Sequence, residues 1–384
     1  MLTAKSNIRK IFALFASHNV NAFIVGGAVR DQLLGVPVSD IDFAVDCDPQ
    51  TTLKLAIEHH VKFVETGLAH GTITLIEGGQ SFEVTSFRKD VKTDGRHAKT
   101  EFGGTIEDDA ARRDFTINAL YMDINGIIID PLGGTADINA KRLRFVGDVS
   151  ARIREDYLRI LRYFRFLAHY ELSVDDTELG AIRELASGLN RISGERVGHE
   201  MRKALVGKFA HAALTKAQET AVLERVAPSL DLDYLHDWIA FETAHNLPID
   251  WRIRLVASCA DIPQAKWRLS NDETKFMSQL QKASATKHTP AALGNIAGFE
   301  IAHWAVLLRA HKNNTKPPQD FDTDIARGMA EIFPITGRDL MPIAPEGPEL
   351  GAIYKTLKRK WLASDFALDK DSLLALAQAI ANET

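Results

Sequence analysis

Apolar residues recur in short runs over the first part of the chain and at helical spacing beyond about residue 140, so the pattern divides the chain before any chemistry is considered. Ile8, Ile11, Phe12, Leu14 and Phe15, within residues 4–20, predict an amphipathic helix that covers a sheet. The run Ala22 to Val25 predicts a buried strand, Gly26-Gly27 a turn, and Ala28 to Leu34 a short helix stopped by Gly35. After Pro37, Ser39-Asp40-Ile41-Asp42 runs into a second apolar strand, Phe43 to Val45. Pro49 to His60 reads as a helix, with His59-His60 as its terminus and not a metal pair. Three strands follow, Lys62 to Glu65, Thr72 to Ile76 and Phe82 to Phe87, the last two a hairpin across Gly78-Gly79. Residues 88–105, rich in Lys, Asp and Gly, predict a long loop without structure. Tyr121 to Ile124 and Ile127 to Asp130 form a tight hairpin around Asn125-Gly126.

In the helical part, one helix is expected from Arg152 to His169. Tyr157, Ile160, Leu161, Phe164, Leu167 and Ala168 share its packed face, while Asp156, Arg159, Arg162 and Arg165 step by three along the other. Ser193 is a plausible N-cap for a helix through Glu200. Residues Lys312 to Asp322 read as an exposed loop, and Gly347 to Gly351 precede a helix carrying Lys355, Lys358, Arg359 and Lys360. The pattern is that of an α/β head followed by an all-α remainder.

With 384 residues the chain has material for two to four domains. Its net charge of −5 argues against a polyanionic partner, but the balance is uneven: Lys141 to Arg165 holds eight Lys or Arg against three acids. A solvated helix face explains such a run as well as an RNA-facing one does. Cys47 and Cys259 have no partner at metal spacing and read as thiols of a reducing compartment. With neither a signal-peptide core nor an apolar stretch of membrane-spanning length, a cytoplasmic location is expected.

Candidate chemistry gathers early. Gly26 and Gly27 let backbone N–H groups and a helix N-terminus approach an anion, with Arg30 one turn further on. Asp40 and Asp42, on alternate positions, point the same way if both lie on a strand, and two such carboxylates suit a hard divalent cation. Glu83, alternating with Phe82 and Val84, can face them as metal support or proton acceptor. The pair Arg112-Arg113 suits phosphate, and Asp156 with Arg159 offers acceptors and donors that can imitate a Watson–Crick edge. Each has a bland reading, as a solvated loop, a surface salt bridge or an i,i+3 helix pair. His236-Asp237 has no supporting ligands and is read as structural.

The ordered combination is specific. Gly-Gly-x-Val-Arg-Asp-x-x-Leu-Gly followed by Asp-x-Asp, then Glu-Val-Thr-Ser-Phe-Arg, Arg-Arg-Asp-Phe-Thr-Ile-Asn-Ala and Glu-Asp-x-x-Arg-x-x-Arg-x-x-Arg-Phe, resembles the class II nucleotidyltransferases, the tRNA CCA-adding enzymes and bacterial poly(A) polymerases. The resemblance implies a small mixed sheet and four parts: a head over residues 1–140, a neck over 141–210, a body over 211–310 and a tail over 311–384. It implies Mg²⁺ on Asp40 and Asp42, and nucleotide contacts from Gly26, Gly27, Arg30 and Arg113. Asp114 and Asn118 would shape the ribose and triphosphate pocket, and Asp156 and Arg159 would select the base. Arg162 and Arg165 would support that selection or hold phosphate. The expected substrates are CTP and ATP, and the expected partner is the tRNA 3′ end. Thr66 to Thr72 looks like the CCA-adding branch, while poly(A) addition, a partial CC- or A-adding activity and a catalytically silent RNA binder remain the alternatives. A small-molecule nucleotidyltransferase is disfavoured by the long helical half.

Overall fold

Helix α1 (Ser6–Ala16) buries the five apolar residues expected of it, and the Phe12 ring meets Phe43 edge-on at 5.2 Å. That contact seats α1 on a mixed seven-stranded sheet of order β3-β4-β5-β2-β1-β8-β9. Its strands are β1 (Ala22–Val25), β2 (Asp42–Val45), β3 (Lys62–Gly67), β4 (Thr72–Glu77), β5 (Gln80–Ser86), β8 (Tyr121–Met122) and β9 (Ile128–Ile129). Between them lie α2 (Gly27–Leu34), α3 (Pro49–Glu58), the ribbon β6 (Arg88–Val91) and β7 (Lys99–Phe102), and α4 (Ile106–Ala111). The computed structural model describes residues 2–68, 71–91 and 99–382. Among the strands of this sheet, only β2 and β5 pair in parallel in the described residues. The expected loop over 88–105 is corrected at both ends, because β6 and β7 pair antiparallel; residues 92–98 lie outside the described set.

Helices carry the rest: α5 (Gly134–Asn139), α6 (Val149–Glu155), α7 (Leu158–His169), α8 (Asp176–Leu185), α9 (Gly194–Leu205), α10 (Ala210–Glu219) and α11 (Leu223–Val226). The single helix expected from Arg152 to His169 is two, broken at Asp156, whose φ of −151° and ψ of 106° are extended. Two contacts outweigh helical propensity there. The Asp156 carboxylate accepts from the Leu158 N–H at 3.1 Å, and the Tyr157 ring lies on Gly188, where an added Cβ would stand 1.9 Å from it. Ser193 holds the N-cap position of α9, but its side chain makes no capping bond. Tyr163 and Phe166 are buried as well, in a cluster with Phe115 and Phe145, so α7 is packed around most of its circumference.

Backbone contacts divide the chain into two compact units, Met1–Pro228 and Ser229–Thr384. The second contains α12 (Leu232–Ala244), α13 (Trp251–Ser258), α14 (Asn271–Ala285), α15 (Pro290–Ala297), α16 (Phe299–Lys312), α17 (Phe321–Ala330), α18 (Gly337–Leu340), α19 (Pro348–Ala363) and α20 (Lys370–Asn382). It has one core around Trp238, Leu280 and Ala305 and another around Leu340, Leu357 and Trp361. Gly351 falls inside α19 and not ahead of it, because Pro348 starts that helix.

Helices α15 and α17 touch backbone to backbone. A Cβ at Gly328 would stand 1.8 Å from the Ala291 carbonyl oxygen, and one at Gly294 would stand 2.3 Å from that of Ile325. Gly328→Ala is expected to destabilise the second unit by at least about 1–3 kcal/mol through forced separation of the helices. Gly180→Ala in α8, where nothing lies within 4 Å, is the contrasting case, expected to be neutral to stabilising by up to about 1 kcal/mol because alanine is the better helix former. Urea melts of both variants check this, and equal midpoints would refute the close crossing.

Candidate active site

The site begins with the parallel ladder, in which Asp42 stands opposite Glu83. Parallel neighbours in register share a face, so the two carboxylates are brought together by backbone pairing. Asp40 is exposed and lies two residues ahead of β2, outside the ladder, so the strand alternation expected to align it with Asp42 does not apply. Electrostatics still links them. Burial first, then Glu83, then Asp40 push the Asp42 carboxyl up to about 6, with Arg113 pulling the other way.

Gly26, at φ 67° and ψ −117°, donates its N–H to the Leu120 carbonyl at 2.9 Å and leaves room for Arg113, whose Nη1 would lie 3.2 Å from a Cβ placed there. The Arg113 guanidinium donates to Asp109 at 2.8 Å and to the Tyr121 hydroxyl at 3.1 Å, while that hydroxyl donates to Asp109 at 2.7 Å. Burial opposes its charge, but Asp109 and Tyr121 outweigh burial and raise its pKa. Asp114 is buried, yet Arg162 at 2.5 Å, Asn118 at 2.9 Å and the Phe115 N–H together hold its carboxyl below the usual range.

On the neck side Asp156 and Arg159 do not pair with each other. Asp156 accepts from Arg196 at 2.7 Å, and Arg159 donates to Glu155 at 2.6 Å. The arginine stripe is no solvated face: the side chains of Arg159, Arg162 and Arg165 are 15%, 31% and 14% exposed. Arg165 meets buried Glu200 of α9 at 3.0 Å.

Two adjoining cavities collect these groups. One, of about 400 Å³, is lined by Asp42, Glu83, Arg113, Asp114, Asp156, Arg159 and Arg162 among others. The other, of about 510 Å³, is lined by Gly26, Gly27, Arg30, Asn118 and Arg165, and again by Asp42, Arg113, Asp114 and Arg162. Asp40 lines neither cavity. Sequence reasoning gave no role to Arg196, four residues ahead of Glu200 in α9, while Arg112, read with Arg113 as a pair suited to phosphate, lines the first cavity too. A third cavity, of about 400 Å³ beside Cys259 and His311 in the second unit, has Asp231 as its one carboxylate, which caps α12.

Comparison with known proteins agrees with this layout. Residues 22–144 match the family described as the poly A polymerase head domain, and residues 171–233 match a probable RNA and SrmB-binding site of polymerase A. The mitochondrial CCA tRNA nucleotidyltransferase 1 of Homo sapiens is 32% identical over 96% of this chain and 89% of its own length. The CCA-adding enzyme of Geobacillus stearothermophilus is 39% identical over 93% of each. The chain belongs to the CCA-adding nucleotidyltransferase family. A solved structure of the Bacillus stearothermophilus CCA-adding enzyme in complex with CTP superposes with a TM-score of 0.76 at 26% identity, covering 99% of this chain and 98% of that one.

A divalent cation suits the donor set this family member presents. Asp42, Glu83 and nearby Asp40 are hard oxygen donors whose mutual repulsion a cation would relieve. Among the described residues no three such side chains stand at mutual ligand spacing, so the carboxylates form an open set and not a closed cage.

The raised Asp42 pKa has a signed consequence. Between the ordinary value of 3.8 and about 6 the folded chain holds a proton that the unfolded chain has lost, so this group lowers stability as pH rises through that window. In chelator, Asp42→Asn is expected to stabilise the protein at pH 7.5 by roughly 1–2 kcal/mol, a gain that fades towards pH 4. Added Mg²⁺ raises the melting point of the wild type and not of the variant. A gain independent of pH would show that repulsion at Asp42 is not its source.

Proposed function

We propose that the protein adds C, C and A in turn to the 3′ end of tRNA, using CTP and ATP and releasing pyrophosphate. The observation that carries this is the opening of Asp42 and Glu83 onto the same cavity as Asp156 and Arg159, which sets a transfer centre facing a base-reading pair. Asp40 and Asp42 would hold Mg²⁺, which when bound favours the deprotonated 3′-hydroxyl and offsets triphosphate charge. Glu83 supports that site or takes the proton. Gly26, Gly27 and Arg113 seat the nucleotide, and Asp114 and Asn118 border its sugar and phosphates. Asp156 and Arg159 present acceptor and donor edges to the base once Arg196 and Glu155 yield them. Arg162 and Arg165 complete the positive wall.

The four-part division into head, neck, body and tail fits the same reading. Exposed Lys355, Arg359 and Lys360 on α19 suit the tRNA backbone, which is gripped by charge and shape. No helix among the described residues is long and apolar enough to cross a membrane. The cytoplasm fits the free thiols Cys47 and Cys259.

The test uses tRNA transcripts ending before the first C, after the second C and complete, with CTP, ATP or both, the products being sized to one nucleotide. Growth to CCA followed by a stop is expected, and Asp42→Ala is expected to lower the rate by more than about 100-fold. Extension by C alone or A alone would replace the reading with a partial activity, a long A tail with poly(A) synthesis, and no growth with a silent RNA binder.

A further inference from the structure

Arg30, expected from its place after the glycine turn to reach phosphate, is engaged elsewhere. It is 7% exposed, and its guanidinium lies against two rings, 4.9 Å from the Phe166 centroid and 4.7 Å from that of Tyr170. Each of its nitrogens has a protein acceptor: Nε donates to Asp31 at 2.9 Å, Nη1 to Asn118 Oδ1 at 2.5 Å and Nη2 to the Tyr170 hydroxyl at 2.6 Å. The Tyr170 hydroxyl in turn donates to Asp31 at 2.8 Å. From Asn118 the chain of bonds continues to Asp114 and from there to Arg162, the guanidinium that lines both cavities.

We propose that Arg30 is a positioning residue and not a phosphate ligand: it joins α2, behind the glycine turn, to Tyr170 at the end of α7, and through Asn118 and Asp114 it holds Arg162 in register with the base-reading pair. The idea rests on the nucleotidyl-transfer reading above. A planar fork bonded to three acceptors and resting against two rings fixes direction as well as distance, which a lysine on a flexible stem does not. The two helices flanking the nucleotide cavities are thereby held in one relation to each other. Binding of the triphosphate as such does not need this side chain, whereas alignment of the base against the reacting phosphate does.

Arg30→Lys, Arg30→Met and Tyr170→Phe separate the two roles. Tripolyphosphate and CTP binding are measured by calorimetry, and CTP and UTP incorporation into tRNA ending before the first C is followed in single turnover. Positioning predicts that all three variants keep tripolyphosphate affinity within about twofold, with Arg30→Lys no better than Arg30→Met. It predicts a rate constant for CTP lower by about tenfold or more, KM within about threefold, and a reduced preference for CTP over UTP. A tenfold loss of tripolyphosphate affinity in Arg30→Met that Arg30→Lys restores would overturn the proposal. Should the Arg30 variants fail to fold, Tyr170→Phe decides alone, since a phosphate ligand at Arg30 predicts unchanged CTP preference for it. If the wild type itself adds no nucleotide, the functional reading falls. The binding arms still decide Arg30: preserved tripolyphosphate affinity supports positioning, and lost tripolyphosphate affinity refutes it.

Discussion

Two carboxylates held opposite each other by a parallel ladder are the constraint from which most of the first unit follows. Strand pairing leaves Asp42 and Glu83 no way to turn apart, and the half-buried position of Asp42 removes the water that would otherwise screen them. Positive charge has to stand nearby without collapsing onto them. Arg113 meets that condition because Asp109 and Tyr121 hold its guanidinium from behind. Arg162 meets it in the same way through Asp114. The arginines therefore face the cavity already partnered, and an incoming anion meets oriented donors at little cost in reorganisation.

The ion pairs behind the cavity also connect its parts in sequence. Asp137, fully buried, accepts from Thr116 at 2.6 Å and from Arg144 at 2.8–2.9 Å, and it also pairs with Arg142. This ties the Arg-Arg-Asp segment to the chain entering the neck. Glu200 accepts from Arg165 and Arg196 donates to Asp156, so α9 supports α7 and the break before it from one side.

The sheet was legible because its information is local. Short apolar runs bounded by Gly-Gly, Asn-Gly and Pro specify strands and turns, and each expected strand of the sheet exists with ends within a few residues. The carboxylate pair was legible as residue types, but the partner across the sheet became definite only through register, and Asp40 turned out to precede the strand. What the pattern could not carry was tertiary competition. The spacing from Arg152 to His169 is helical throughout, yet a ring seated on a distant glycine and a carboxylate bonded two residues ahead break it. The bonds made by Arg30 were hidden for a related reason, since two of its acceptors, Asn118 and Tyr170, lie far along the chain.

The break at Asp156 changes what sets the spacing of Asp156 and Arg159. Inside a helix, a carboxylate and a guanidinium three residues apart have a spacing dictated by helical pitch. At a joint, their relation depends on one pair of backbone torsions, and those torsions are held by the Tyr157 ring resting on Gly188. Any side chain at Gly188 would occupy the space of that ring and rotate the joint. A change at Gly188, which lines neither cavity, would thus shift Asp156 against Arg159 from outside the cavity that both line.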